Sequence, residues 1–331
     1  MMDMEKNTIL RIDKLKAGYE IKSGFVSAVD DVSFSLEKGE FLGIAGESGC
    51  GKSTLAYAIM NLLRDNGCIQ SGSVQLNDVE VSSLKEMKMK KIRWSDLSMV
   101  FQSAMNALNP VLKIGEQLTD AIFAHQNITR AKAVKRAKEV LELVDISSER
   151  YDAYPHQLSG GMKQRVMIAM ALILQPELVI MDEPTTALDV VVQRTIIEKI
   201  QELQRQFEFS VIFITHDLSL LVEISDKLAI MYAGKIIEFG NAEDVFNNPL
   251  HPYTVGLMAS FPALTGPIKR MGGIEGKPPD LLNPPEGCRF APRCQKVMDI
   301  CRSVYPKETI IKGNHKVSCH LYGEKTGENH D

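Results

Sequence analysis

The chain has 331 residues, 44% of them hydrophobic and 24% charged, with a formal net charge of −4 and a pI near 6.0. That composition suits one large globular domain or two, and it argues against a dedicated nucleic-acid binder, which gathers Lys and Arg on one face to neutralise phosphates. The longest apolar run, Val166 to Leu174, is far short of the roughly 20 residues that cross a bilayer, and the N-terminal MMDMEKNTIL lacks the apolar core of a secretion signal. The expected compartment is the cytosol, where thiols stay reduced and a cysteine cluster points to metal rather than to disulfides.

In chain order, FLGIA (41–45) reads as a buried strand and TLAYAIMNLL (54–63) as a helix. The basic run KEMKMKKIR (85–93) reads as a solvated helix face, and LSMVF (97–101) as a second buried strand. From Ser103 to Gln175 the strand signal disappears. There ITRAKAVKRAKEVLELVDI places Ala133, Ala137, Val140, Leu141 and Val144 on one stripe, which predicts an amphipathic helix and an inserted helical subdomain over about 103–175. LVIMDEP (178–184) and VIFITHD (211–217) supply further strands, so the expected class is α/β with a largely parallel sheet. KLAIMYAGKIIEFG (227–240) reads as a hairpin with Ala233-Gly234 at its tip. Past about residue 246 the texture changes: this part holds every proline except Pro110, Pro155, Pro176 and Pro184, and four of the six cysteines. It is expected to be a loop-rich extension (246–331) with little core of its own, following a first domain over 1–245.

The sharpest chemical signal is GESGCGKST, in which Gly46 through Ser53 fits the phosphate-loop pattern G-x-x-x-x-G-K-[ST] between a strand and a helix. Glycines let backbone N–H groups turn inward around phosphate oxygens, and the following helix adds the positive end of its dipole. The expected phosphate-binding residues are Gly46, Ser48, Gly49, Cys50, Gly51, Lys52, Ser53 and Thr54, with Lys52 reaching the β- and γ-phosphates and the Ser53 hydroxyl binding Mg²⁺. Downstream, LVIMDEP ends a strand in two adjacent carboxylates. Asp182 suits the Mg²⁺ shell and Glu183 the polarisation of an attacking water, an assignment that depends on the phosphate loop, since acidic residues at a strand end are otherwise ordinary loop starts.

LSGGMKQR, from Leu158 to Arg165, resembles the signature motif of ATP-binding cassette (ABC) proteins. The other family motifs stand in the family's order: Tyr19 ahead of the phosphate loop, Gln102 in VFQ, ALD from Ala187 to Asp189, and His216 in ITHD. The resemblance covers about residues 8 to 245. It implies an ABC-type nucleotide-binding domain that dimerises head to tail, each ATP lying between one subunit's phosphate loop and the other's Ser159, Gly160 and Gly161. It also implies that Tyr19 stacks on adenine, that Gln102 senses Mg²⁺ and the membrane partner, that His216 contacts the γ-phosphate, and that Asp189 belongs to the nucleotide site. Met162 stands where glutamine is commoner, at a position where serine and backbone groups make the key contacts.

LSGGMKQRVMIAMAL, HPYT (251–254), GKPPDL (276–281) and GCRFAPRC (287–294) together resemble the ATPases of oligopeptide and dipeptide importers. The implied assembly is a second ATPase subunit, favouring a heterodimer, two transmembrane permease subunits and an extracytoplasmic peptide-binding protein, with this chain peripheral on the cytoplasmic face of the inner membrane and no nucleic acid involved. An importer ATPase for nickel or another small cargo is the alternative, disfavoured because such ATPases are generally shorter and lack a cysteine-rich tail. ABC ATPases that act on DNA or ribosomes usually carry a long coiled coil or a second cassette, and neither is present here. A subunit that binds ATP without hydrolysing it would not be expected to carry Glu183 and His216.

Cys288, Cys294, Cys301 and Cys319 stand at C-x₅-C-x₆-C-x₁₇-C, which matches neither zinc ribbons nor the bacterial ferredoxin run. Four thiolates suit either Zn²⁺ or a [4Fe–4S] cluster, and His315 and His320 are near enough in sequence to replace a thiolate on zinc. A proline-rich tail without an evident core would gain from a metal staple. Iron–sulfur is preferred by resemblance alone, because peptide-importer ATPases with this tail carry such a cluster at these cysteines.

Overall fold

The computed structural model describes residues 7–102, 107–186, 188–259 and 274–323. Ala187 of the ALD motif, the first residues of the expected helical stretch (103–106) and the N-terminal residues 1–6 lie outside them.

The chain opens with β1 (Thr8–Ile21) and β2 (Gly24–Glu37), two long antiparallel strands that the sequence reading does not anticipate. Lys14 and Asp31 take left-handed backbone conformations (φ 45° and 56°) where the register shifts, so strict alternation is lost although Ile12 and Leu15 both face inward. Next come β3 (Phe41–Ala45), α1 (Lys52–Ile59), β4 (Gly67–Leu76) and β5 (Val79–Glu80). The first sheet has the order β2-β1-β4-β5.

The basic run forms α2 (Glu86–Ile92), largely exposed as expected, but it is not a purely solvated face. Met89 is fully buried, and the Arg93 guanidinium turns inward to donate to Met60 O at 3.0 Å and Asn61 O at 2.6 Å. β6 (Leu97–Val100) follows, and among the described residues the chain then makes only helices until the next strand: α3 (Ile114–His125), α4 (Arg130–Leu143) and α5 (Gly160–Leu172), with short 3₁₀ turns between. α4 buries Ala133, Ala137, Val140 and Leu141, and Val144 just after it, as the spacing predicts.

β7 (Leu178–Asp182), α6 (Val190–Phe207), β8 (Ser210–Ile214), α7 (Leu218–Ile224), β9 (Lys227–Tyr232) and β10 (Lys235–Asn241) complete the cassette. β9 and β10 form the expected hairpin, with Ala233 and Gly234 both at positive φ, 47° and 86°, as a two-residue turn between twisted strands requires. With β11 (Glu308–Lys312) and β12 (His315–Ser318) from the tail, the main sheet runs β11-β12-β10-β9-β3-β8-β7-β6, parallel from β9 to β6. α1 is sandwiched between the two sheets: Leu55, Ala58 and Ile59 share one core with Leu10 and Val74 of the first sheet and Ile44 and Ile180 of the second. α3 to α7 cover the opposite face.

The tail contains α8 (Ala242–Asn247), α9 (Pro252–Ala259), α10 (Ile300–Ser303), β11 (Glu308–Lys312) and β12 (His315–Ser318). It is more closely built into the protein than a loop-rich appendage would be. β12 pairs antiparallel with β10 and so extends the main sheet, while Tyr253 and Phe290 join the cassette core. Four residues containing a lysine carry no strand signal of their own; the partner strand supplies the conformation.

Candidate active site

The apolar strand β3 delivers the phosphate loop at its C-terminal edge, where open α/β sheets bind ligands. Gly51 immediately precedes α1 with φ 109°, and a Cβ there would stand 2.0 Å from Ala28 O, so only glycine fits. No side chain caps α1 and its first turn carries no acid, which leaves the N–H groups of that turn for an anion. Gly46, Cys50, Lys52 and Thr54 are buried, Ser53 is half-buried, and Ser48 and Gly49 are exposed at the crest. The Lys52 ammonium lies across the loop, donating to Gly46 O at 2.7 Å and Glu47 O at 3.1 Å. Tyr19, half-buried on β1, places its hydroxyl 3.3 Å from Thr54 Oγ1.

Two strands away, β7 ends in Asp182, which is 0% exposed. Neither of its carboxylate oxygens has a hydrogen-bond partner among the described residues. Burial raises its pKa, the charge of Glu183 adds to the rise, and the Ser53 hydroxyl and Lys52 ammonium nearby oppose it. A buried carboxylate with free lone pairs beside the Ser53 hydroxyl is the donor set a Mg²⁺ ion takes, hard oxygens with room for water and phosphate, so these residues fit that ion.

Glu183 follows in a left-handed conformation, φ 46°, which is costly for a residue with a Cβ and characteristic of functional sites. Its N–H donates to Ile214 O of β8 at 2.8 Å, tying the turn to the neighbouring strand. Gln102 Nε2 donates to Glu183 Oε2 at 2.7 Å, Thr186 Oγ1 donates to the same oxygen at 3.1 Å, and His216 Nδ1 lies 3.8 Å from Oε1. The expected residues Gln102, Glu183 and His216 thus come together from three segments, and Thr186 joins them without having been anticipated.

Ser159 caps α5, its hydroxyl accepting from Met162 N at 3.3 Å, and it stands exposed with Gly160, while Gly161 is half-buried. Asp189 caps α6 in the same way, accepting from Val192 N at 3.0 Å. Val190 and Val191 beside it are 80% and 76% exposed.

The tail reaches this site through residues that no local pattern reveals. Arg293 forms a two-pronged pair with Glu47 of the phosphate loop, although 246 positions separate them. The cysteines are all free thiols. Cys288 N donates to Cys301 O at 2.8 Å, and burial pushes the Cys319 thiol up to about 11, with the other three cysteines adding to the rise. Four thiols, three of them near enough to raise the pKa of the fourth, are donors of the kind a thiolate-bound centre takes. Yet among the described residues no group of three or more His, Cys, Asp or Glu is assembled as a metal site. The two histidines considered as zinc ligands are engaged elsewhere: His315 Nε2 lies 2.8 Å from Glu238 Oε1, and His320 Nε2 lies 2.9 Å from Val304 O.

The ABC transporter family model matches residues 29–186, and the model of the oligopeptide/dipeptide transporter C-terminal region matches residues 237–301. The chain is 45% identical over 325 residues to the dipeptide transport ATP-binding protein of Bacillus subtilis, covering 97% of this chain and 96% of the relative. It is 45% identical over 315 residues to the oligopeptide transport ATP-binding protein of Escherichia coli, covering 95% and 93%. It also resembles a dimeric ATP-binding cassette solved in a post-hydrolysis state with ADP and Pi, at TM-score 0.64 and 27% identity over 70% of this chain and 98% of the other.

Proposed function

The chain belongs to the ABC transporter ATPases of the oligopeptide and dipeptide transport type, and we propose that it is the ATP-hydrolysing subunit of a peptide importer. The observation that carries the reading is the unsatisfied carboxylate of Asp182 set beside the phosphate loop and the Gln102–Glu183–His216 cluster. In this reading the uncapped start of α1 and the Lys52 ammonium bind the triphosphate, and Asp182, Ser53 and Gln102 hold Mg²⁺. The ion supplies charge neutralisation at the β- and γ-oxygens. Glu183, its Oε2 fixed by Gln102 and Thr186, orients a water and accepts its proton, while His216 stands where it can touch the γ-phosphate. Tyr19 offers its ring to the adenine.

Ser159, Gly160 and Gly161 open an exposed helix N-terminus that would close on the ATP of a second subunit, and the apolar Val190 and Val191 next to Asp189 would be covered in the same contact. A second, different ATPase subunit, two permease subunits and a peptide-binding protein complete the assembly. No helix of the described residues is long and apolar enough to cross a membrane. In this reading the chain attaches peripherally at the cytoplasmic face through those permeases. The helices between β6 and β7 serve as an inserted subdomain (about 103–175) that meets the permeases, and 1–245 and 246–331 are the working domains.

The tail thiols Cys288, Cys294, Cys301 and Cys319 are proposed to hold a [4Fe–4S] cluster as a structural tie. The support is their number, the nearness by which the other three cysteines add to the raised pKa of Cys319, and the engagement of His315 and His320 with other groups. Anaerobically purified protein should be brown and contain about four irons and four sulfides per chain. Colourless protein with one zinc per chain would refute the cluster. The transport reading is tested in vesicles that hold the whole importer: ATP-dependent uptake of a labelled oligopeptide is expected, and ATP turnover that moves no peptide would refute it.

A further inference from the structure

The phosphate loop is braced from the tail at both ends. At its start, Arg293 donates through one terminal nitrogen to Glu47 Oε2 at 2.8 Å and through the other to Glu47 Oε1 at 3.0 Å. The remaining donors of this guanidinium are also used, on Tyr232 Oη at 3.2 Å, Ile274 O at 3.1 Å and Glu275 O at 2.8 Å. The side chain is only 5% exposed, so the fork is held in one orientation. Glu47 is fixed a second time, because its N–H donates to the hydroxyl of the fully buried Tyr253 at 2.9 Å. The carbonyl of this same residue accepts from the Lys52 ammonium at 3.1 Å and from Cys50 N at 3.2 Å. At the far end of the loop, Cys50 O accepts from Gly234 N at 2.8 Å, and the Ala233-Gly234 turn is itself held by Arg289, which donates to Ala233 O and Asp30 Oδ2. Both arginines belong to CRFAPRC, the segment between Cys288 and Cys294.

We propose that Arg293 is a positioning residue for ATP binding: by clamping Glu47 it fixes the curvature of the phosphate loop and the resting place of the Lys52 ammonium. The inference rests on the reading of this loop as the ATP site. It adds that the affinity of that site is set by a residue of the tail, which touches neither nucleotide nor reacting atoms. A loop already shaped loses less entropy when a triphosphate binds, so releasing the clamp weakens binding and leaves the hydrolytic groups on β7 and β8 as they were.

The test uses the full chain assembled with its transporter partners, and reads KM for ATP and kcat separately. Arg293→Ala should raise KM roughly tenfold with kcat within about twofold, and Arg293→Lys, which keeps the charge but loses the fork, should fall between it and the parent. Glu47→Gln leaves the tail untouched and should reproduce the rise. Because the two residues act as one unit, the double variant should be no worse than Arg293→Ala alone. A general loss of folded protein would lower apparent kcat at constant KM, so the split separates positioning from bulk stability. An unchanged KM in Glu47→Gln, or effects that multiply in the double variant, would overturn the proposal while the ATPase reading stands. A parent protein without ATP turnover would overturn both.

Discussion

Asp182, at the nucleotide edge of the main sheet, and Glu238, on β10 at the junction with the tail, are carboxylates sealed from solvent, at 0% and 1% exposure. Glu238 accepts from Leu250 N and His251 N, each at 2.8 Å, and faces His315 Nε2 at 2.8 Å. Asp182 has no hydrogen-bond partner among the described residues. Burying a carboxylate without partners is expensive, so a fold that satisfies one fully and leaves the other bare sets them apart: Glu238 joins tail to cassette, and Asp182 is the carboxylate proposed above for the cation. The same contrast separates half-buried Glu183, in a left-handed conformation, and exposed Ser159, which are proposed to react and to bind, from Arg293, whose guanidinium donors are all paired.

If the division is real, substitution of Glu183 changes chemistry and loss of the Glu238 junction changes stability. The largest effect is expected from Glu183→Gln, which removes the base proposed to take the proton from water and should lower turnover by roughly 10²- to 10⁴-fold while ATP still binds. A nucleotide-binding assay beside a phosphate-release assay reads both. Parental turnover would remove Glu183 from that role. Glu238→Ala strands His315, the buried N–H of His251 and the half-buried N–H of Leu250, and should cost about 3 kcal/mol of stability in chemical denaturation, with KM for ATP unchanged. A variant as stable as the parent would mean that the junction is not held there. Gln102→Ala deletes an exposed hydrogen bond to Glu183 and one of three proposed Mg²⁺ ligands, leaving Asp182, Ser53 and the phosphate loop, so ATP binding should stay nearly intact; if Gln102 also senses the membrane partner, peptide uptake per ATP consumed should fall severalfold in vesicles. Unchanged uptake per ATP would take Gln102 out of the coupling.

Much of the nucleotide edge is legible in the sequence because it is written in short strings that carry their own conformation. The glycines of the phosphate loop and the carboxylate pair after an apolar strand each follow from local chemistry, and the 133–144 stripe foretells α4. The tail junction is not legible in this way. β1 and β2 likewise lose their alternation at Lys14 and Asp31, β12 takes its shape from β10, and the reach of Arg293 to Glu47 depends on tertiary contacts with Tyr232, Ile274 and Glu275. His315 and His320, close to Cys319 in sequence, turn to Glu238 and Val304 instead, which proximity along the chain could not reveal.

The most direct measurement is the melting temperature of Asp182→Asn against the parent, with and without Mg²⁺ and ATP. Asparagine removes the buried charge, so without ligand the variant should be the more stable by about 1 kcal/mol. The pKa of Asp182 is raised in the folded state above its ordinary 3.8, so its contribution to stability is fully present below that value and is lost as pH rises through the raised one. The advantage of asparagine should therefore widen as pH rises and then level off. On adding Mg²⁺ and ATP the parent should gain stability that depends on Mg²⁺, and the variant little. An Asp182→Asn protein that is less stable without ligand, or that gains as much from Mg²⁺ and ATP as the parent does, would contradict the assignment of this carboxylate to the cation.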